Sequence, residues 1–257
     1  MQAAILPFAS GWQWIKDGFN LFKRQPMAMF FWSLMTGFFI TVSYMIPLFG
    51  QMALIGSMPL LTFITLNACR HIDAERPMLL GMWLEPLREA DTRKRLIRLG
   101  LAYLGCCLLG GFIATLPFMD SLMAAVTAEG TIDEIALMQA VRGPFITFAL
   151  IYVLISAMFW HAPALVGWHK IKLTQALFFS MVACWRNKWP FLLYGISWAA
   201  IFLAVQFLGG FMTDLGLAAG TAQIILTPVN IIIAAVLYCS FYPTYMSVFG
   251  ANYPAQD

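Results

Sequence analysis

Within the apolar runs of this 257-residue chain, the ionisable side chain of note is His161, in Phe159-Trp-His-Ala-Pro163. A histidine there could carry a proton or ligate haem, since ionisable groups inside a membrane mark such pathways. Pro163 lacks an N–H and frees a carbonyl one turn back, so the imidazole is expected to bond that carbonyl at the interface instead. His71 and His169 stand beside basic groups and read as solvated loop residues. No two histidines have a ligand spacing, so no metal site is expected. Cys69, Cys106, Cys107, Cys184 and Cys239 all avoid the loop assigned to the outside, so no disulfide is expected, and the adjacent Cys106 and Cys107 read as small packing residues. No serine or cysteine has a base placed beside it. Gly110-Gly111 and Gly209-Gly210 are not a nucleotide loop; small residues of this kind let helices approach closely. Catalytic, cofactor-binding and metal residues are therefore none, no cofactor is expected, and an enzyme ranks last among the function classes. A polar set remains: Gln206, Thr227, Asn230, Thr115 and Ser156, with Asn67 near a span end. Gln206, Asn230 and His161 form a candidate polar track; the plainer reading is interhelical hydrogen bonds worth about 0.6 kcal/mol each.

The elements that must hold these residues are set by where charge is missing. No Asp, Glu, Lys or Arg lies between Arg24 and Arg70, or between Asp214 and Asp257, and shorter silent windows cover 99–119, 143–169 and 189–213. The chain is 61% hydrophobic and 11% charged, against roughly 25% charged in soluble domains. A helix needs about 20 mostly apolar residues to cross a bilayer. These runs predict an all-α polytopic bundle with spans at 27–46, 51–69, 97–119, 144–166, 190–212 and 222–242, within a single membrane domain over 1–257. Pro47 and Gly50 supply the turn between the first two, and the surplus from 243 to 253 is expected on the surface or against the bundle. The opening Met-Gln-Ala-Ala-Ile-Leu-Pro has no basic region, so the first span is expected to act as its own insertion signal.

Orientation follows from Lys and Arg. Every basic residue except Arg142 falls before span 1, between spans 2 and 3, or between spans 4 and 5, while the loop after span 3 carries Asp120, Glu129, Asp133 and Glu134. Both termini are therefore expected in the cytoplasm. The 9 Trp residues also lie nearer the basic side, as a headgroup-level belt would.

Each odd-numbered span is preceded by a short amphipathic segment with basic residues at its end. In the first, Trp12, Ile15, Phe19 and Phe22 share a face, with Lys16, Asp17, Asn20 and Lys23 opposite. In the third, Leu173, Ala176, Leu177, Met181, Cys184 and Trp185 form the stripe, and the segment closes in Cys184-Trp-Arg-Asn-Lys-Trp-Pro190. The second carries Leu80, Trp83, Leu84 and Leu87 before Arg93-Lys-Arg95, but Pro86 interrupts it. Such helices lie in the interface as elbows. The echo of Leu109-Gly-Gly-Phe-Ile113 in Leu208-Gly-Gly-Phe-Met212, and Pro59, Pro163 and Pro243 near the inner ends of the return helices, fit a threefold elbow–helix–helix repeat. Lys23, Arg24, Arg93, Lys94, Arg95, Arg186 and Lys188 are the candidate lipid-headgroup contacts, at about 1 kcal/mol per cation near an anionic surface. Topology requires the same charges.

Pro163-Ala-Leu-Val166, then Ala176, Ser180, Cys184, Arg186-Asn187, Pro190-Phe191 and Tyr194-Gly195, resemble an uncharacterised family of proteobacterial six-span inner-membrane proteins. Gly18-Phe-Asn-Leu-Phe22 with Pro26, and Arg70 with Glu75-Arg-Pro77, are similar to the same family. The resemblance covers most of the chain and implies a bacterial inner-membrane location with no assigned role. A looser likeness is to the membrane domain of glycerophosphodiester phosphodiesterases; no segment here is long and polar enough for their catalytic domain, so it implies no activity.

The leading expectation is a non-enzymatic membrane protein that organises lipid, anionic lipid included, or a partner, which could be another membrane protein or a second copy. No nucleic-acid partner is expected. The alternative is a transporter or flippase for a small apolar or amphipathic solute, which a cavity between spans 5 and 6 would favour.

Overall fold

Lipid offers no water to an unpaired backbone group, so charge-free runs of this length must close their hydrogen bonds internally as helices. A computed structural model describes residues 3–125 and 134–250, and among these every regular element is helical. In chain order they are α1 (Ser10–Arg24), α2 (Pro26–Met45), α3 (Phe49–Asp73), α4 (Ala90–Thr115), α5 (Met119–Ala124), α6 (Glu134–Phe159), α7 (Ala162–Gly167), α8 (Leu173–Arg186), α9 (Lys188–Asp214) and α10 (Ala219–Phe249). Six segments are long and apolar enough to cross a bilayer: α2, α3, α4 with α5, α6 with α7, α9 and α10.

Several helices outrun the charge-free windows. The first turns of α4 carry Arg93, Lys94, Arg95 and Arg98, and Arg95 pairs with Asp91 one turn away at 2.8 Å. Helical hydrogen bonding does not stop where the apolar run does. The span predicted over 144–166 starts earlier and then divides: α6 runs unbroken through Pro144 and stops at Phe159, and α7 resumes at Ala162. Past Pro243, α10 continues to Phe249, with Tyr245, Val248 and Phe249 buried, so the surplus of the last window fills the core. The rest of that stretch, and Glu129 and Asp133 of the acidic loop, lie outside the described residues.

Two of the three elbows are helices. Proline and glycine make the second one two 3-10 turns, Leu80–Met82 and Glu85–Leu87, either side of a buried Trp83 that stacks on Trp32 at 4.6 Å. The elbow faces differ from the predicted stripes. The buried face of α1 is Gly11, Trp14, Ile15, Gly18, Leu21 and Phe22, while Trp12 and Phe19 are exposed. A Cβ at Gly18 would sit 2.6 Å from the Cα of Ser240, so glycine here lets α1 lie directly on α10. In α8 the buried residues are Ala176, Ser180, Ala183 and Cys184, and Met181 and Trp185 point outward. Both elbows therefore divide their apolar surface between protein and surroundings.

The joints after the elbows form a ring. Gln25, between α1 and α2, donates from Nε2 to the Arg76 carbonyl at 2.7 Å and accepts from the Met78 N–H at 2.8 Å, holding the irregular segment before the second elbow. Asn187, between α8 and α9, donates to the Ala4 carbonyl at 2.8 Å and accepts from the Leu6 N–H at 2.9 Å, holding the segment before the first. Glu89, ahead of α4, takes the Lys170 ammonium from the segment before the third. The connectivity repeats three times, and each joint grips the segment leading into another elbow.

The close-packed core sits at the basic end. Trp14, Phe63, Ile72, Leu96, Leu99, Leu165 and Val248 are buried there, and α3 is the central helix: 44% of its apolar window is buried, against 11% for α9. The tryptophans share this end, but a belt describes only Trp12, Trp185 and Trp189, which are exposed. Others pack inward, and three of their indole N–H groups reach hydroxyls across helices: Trp14 to Ser247 at 2.8 Å, Trp32 to Thr65 at 2.9 Å, Trp160 to Thr244 at 3.1 Å; among the described residues those of Trp168 and Trp198 are buried without a partner. An indole combines a large apolar body with one donor, so a hydroxyl facing it satisfies both halves.

Candidate functional site

Between α6 and α7 the helix opens at Trp160-His161, and α8 fills the gap. The His161 N–H donates to the Ser180 hydroxyl oxygen at 3.0 Å, and that hydroxyl donates to the Ala157 carbonyl at 2.8 Å. Ser180 thus takes the place of one rung of the helical ladder, a recognised cause of a sharp kink. Pro163 follows in the first turn of α7, where its missing N–H has no intrahelical partner to lose. The imidazole of His161 does not bond a freed carbonyl, as its position beside Pro163 had suggested. Ser180 instead serves the Ala157 carbonyl, which the His161 N–H gives up, and the ring turns inward with 1% of the residue exposed and Nε2 unpartnered.

His161 lines a cavity of about 130 Å³ among α3, α4, α6, α7 and α10. Tyr103 and Tyr152 share a hydrogen bond at 2.9 Å on one wall; Thr62, Ser156 and Tyr245 contribute the other hydroxyls. Aromatic rings make up much of the rest, and no Asp, Glu, Lys or Arg reaches the lining. Among the described residues no group of three His, Cys, Asp or Glu is placed to hold a metal.

The predicted polar track does not form. Gln206 and Asn230 are exposed on the outer flanks of α9 and α10 and line no part of this cavity. Asn230 lies about 17 Å along α10 from its Ala219 end. The cavity is also not between spans 5 and 6, because no residue of α9 lines it. Of each glycine pair one member serves a crossing: Gly110 faces Ile151 and Gly209 faces Leu226, while a Cβ at Gly210 would meet nothing.

His169 is likewise not a solvated residue. It is half-buried, with Nε2 2.6 Å from the Tyr245 hydroxyl behind the cavity wall. Burial, and then the charge of Arg70, hold its pKa below the ordinary 6.5. The unfolded segment therefore takes up a proton that the folded one refuses, and the stabilisation is lost as pH falls below about 6.5. Amide exchange at 168–172, corrected for its intrinsic rate, is expected to accelerate between about pH 8 and about pH 5.5, and a His169→Gln variant to show no such step.

Asn187 anchors the same region. It is 0% exposed, and besides its grip on Ala4 and Leu6 it donates to the Ala183 carbonyl at 3.0 Å. Residues that follow it in the sequence build the node: Phe191 packs on Trp14 at 4.9 Å and Trp160 at 5.5 Å, and the Tyr194 hydroxyl lies 2.6 Å from that of Ser240. The stretch from Pro163 to Tyr194 thus converges on one buried joint beneath His161. Residue types alone do not signal this, since an asparagine flanked by Arg186 and Lys188 looks like a surface residue.

Over 99% of its length the chain is 32% identical to a probable inner membrane protein of Burkholderia thailandensis (strain E264), and the match covers 96% of that protein. The chain belongs to this inner-membrane protein family. No protein-family model and no solved structure matches the sequence, and the looser likeness to phosphodiesterase membrane domains finds no support. Family membership and six apolar helices make this a multi-pass protein of the inner membrane.

The basic end of this inner-membrane protein sorts its cations into two groups. Some close the fold: Arg24 pairs with Asp73 at 3.2 Å, Arg95 reaches Asp91 and the Lys170 carbonyl, and Arg93 reaches the Leu87 carbonyl. The hydrogen bond from Lys170 holds the Glu89 carboxyl below its usual range. The others face outward. Lys23 lies over the Phe19 ring at 4.9 Å, and the Lys188 ammonium lies 5.2 Å from the Trp185 ring and 5.7 Å from that of Trp189. Lys94 and Arg186 are exposed. Among the described residues no carboxylate pairs with Lys23, Lys94, Arg186 or Lys188.

Proposed function

We propose that this protein is a non-enzymatic organiser of the inner membrane that gathers anionic lipid at its basic, cytoplasmic end, with both termini on that side. One observation carries the reading: Lys188 sits between the exposed rings of Trp185 and Trp189, 68% and 60% exposed, on a joint made rigid by the buried Asn187. Aromatic rings at headgroup level with a cation between them suit a lipid phosphate, and Lys23 and Arg186 extend the same surface. Replacing Lys23, Arg186 and Lys188 together with Gln is expected to reduce anionic-lipid retention about 100-fold, at about 1 kcal/mol per cation. Native mass spectrometry of protein released from nanodiscs of mixed anionic and zwitterionic lipid reads this; unchanged lipid adducts would refute it. Thiol labelling of an engineered cysteine at Lys94 only after the membrane is opened from the cytoplasmic side checks the orientation.

The outward amides of Gln206 and Asn230 favour a membrane-protein partner or a second copy, because a polar side chain at such depth gains by an interhelical hydrogen bond. A carrier for a small amphipathic solute is the second reading, and the cavity beside His161 favours it.

A further inference from the structure

We propose that two copies of this chain pair face to face through the α9–α10 hairpin, with Gln206 of each bonded to Asn230 of the other; this rests on the reading that the outward amides find a partner within the membrane, and names that partner.

One contact fixes how the two amides sit. α9 and α10 are antiparallel neighbours, and a Cβ at Gly209 would lie 3.1 Å from Leu226 Cδ1, so these two residues face each other. Gln206 precedes Gly209 by three residues and Asn230 follows Leu226 by four. Both amides therefore stand toward the basic end of that contact, about 4.5 Å and about 6 Å along their helices, and share a level to within about 1.5 Å. At about 100° per residue, they are turned from the contact by about 60° and about 40°, in the same sense along their own helices. Antiparallel helices that face each other carry such positions to one side, so both amides flank the same face of the hairpin. Both are exposed there, and among the described residues neither has a hydrogen-bond partner.

That face suits another helix better than lipid tails. Hydrocarbon offers a carboxamide nothing to bond, although the group carries both donor and acceptor. Gly195, Ala199 and Gly210 lie on the same side of α9 as Gln206, and a Cβ at either glycine would meet nothing, so a second backbone can come close. Gln223 and Thr227, also exposed, continue the Asn230 side of α10.

The shared level is what makes the partner a second copy. A twofold axis along the membrane normal keeps every residue at its own depth. Two hairpins facing across that axis set α9 of one against α10 of the other, so Gln206 meets Asn230 of the second copy and the same pair forms again by symmetry. Two amides at different depths, or on opposite sides of the hairpin, could not both pair in this way. A carboxamide donates and accepts, so each pair is complementary without a charge.

The test uses the full-length protein in liposomes, with single-molecule photobleaching to count copies as the protein-to-lipid ratio is raised. Reversible dimers are expected. Gln206→Leu with Asn230→Leu is expected to weaken pairing at least tenfold with an unchanged melting midpoint, since both sites face outward; Asn230→Gln keeps the carboxamide and is expected to pair within about threefold of the native chain. Copper-catalysed disulfide formation between two differently tagged chains in native membranes locates the face. Gly210→Cys on one chain is expected to cross-link to Thr227→Cys on the other. Leu208→Cys with Ile225→Cys, exposed positions on the opposite side of the hairpin, is expected not to. Undiminished pairing by a folded double-leucine chain, or equal cross-linking from the opposite side, would overturn the proposal. A different protein joined at Thr227→Cys in place of the second copy would overturn it and leave the broader reading of the amides standing. Monomers at every ratio, with nothing joined at Thr227→Cys, would overturn both. The cross-linking pattern decides the matter even if the double-leucine variant does not fold.

Discussion

Asn187→Asp is expected to destabilise the protein by about 3–5 kcal/mol, the range for an uncompensated buried charge. The side chain is fully buried, and its Nδ2 faces the carbonyls of Ala4 and Ala183 while its Oδ1 accepts from Leu6. An aspartate keeps the acceptor and turns a second one toward two carbonyls, without a cation inside the joint to offset it. Asn187→Ala leaves the half-buried Leu6 N–H and Ala4 carbonyl without their partner, at about 1 kcal/mol for each such bond. Thermal unfolding in detergent measures both, with Arg186→Ala as the exposed neighbour that should hardly move. Gln25→Ala is the matched comparison. It removes the equivalent grip on Arg76 and Met78, but from a half-buried joint where water replaces the lost bonds, so its effect should be the smaller. Equal midpoints for Asn187→Asp and the native protein would refute the clasp.

Ser180→Ala is the second large effect, expected at about 2–4 kcal/mol. The hydroxyl serves two backbone groups at once, the His161 N–H and the Ala157 carbonyl, and water has no route to a residue that is 0% exposed. The loss should also be local: exchange of the His161 amide should rise well before that of the central α3 amides. Hydrogen exchange read by residue separates this from a general loosening, and protection at His161 equal to the native level would rule out the bridging role. Ser180→Thr keeps the hydroxyl and should restore protection at the amide while straining the close contact between α8 and α6.

Much of this architecture was legible from charge alone. The silent windows located six helices, since a backbone in lipid has no alternative, and the basic clusters identified which helix ends lie together. The elbows were visible from period and from their basic ends, and Pro86 correctly marked the one that is not a helix. Helix ends were read less well where charged residues continue a helix into water, as at Arg93 to Arg98 on α4.

Which side of each helix meets protein was not legible. In water a polar face marks the outside; in a bilayer the surroundings are as apolar as the core, so Phe19 and Leu21, or Met181 and Cys184, carry no contrast that says which is buried. Gln206 and Asn230 illustrate this: polar residues in apolar runs suggest an interior track, yet both face outward. For His161 the missing information was the neighbour. Its own helix predicted a bond to a freed carbonyl, and only the approach of α8, which brings Ser180 into the ladder, leaves the ring packed against Phe191, Tyr245 and Phe249. Composition and charge order by themselves determined the number of helices and the end at which the cations gather, because each depends on transfer between water and lipid, a property of single segments. The packed faces, the ring of joints and the cavity were decided by tertiary structure, because each depends on close approach between segments far apart in the chain.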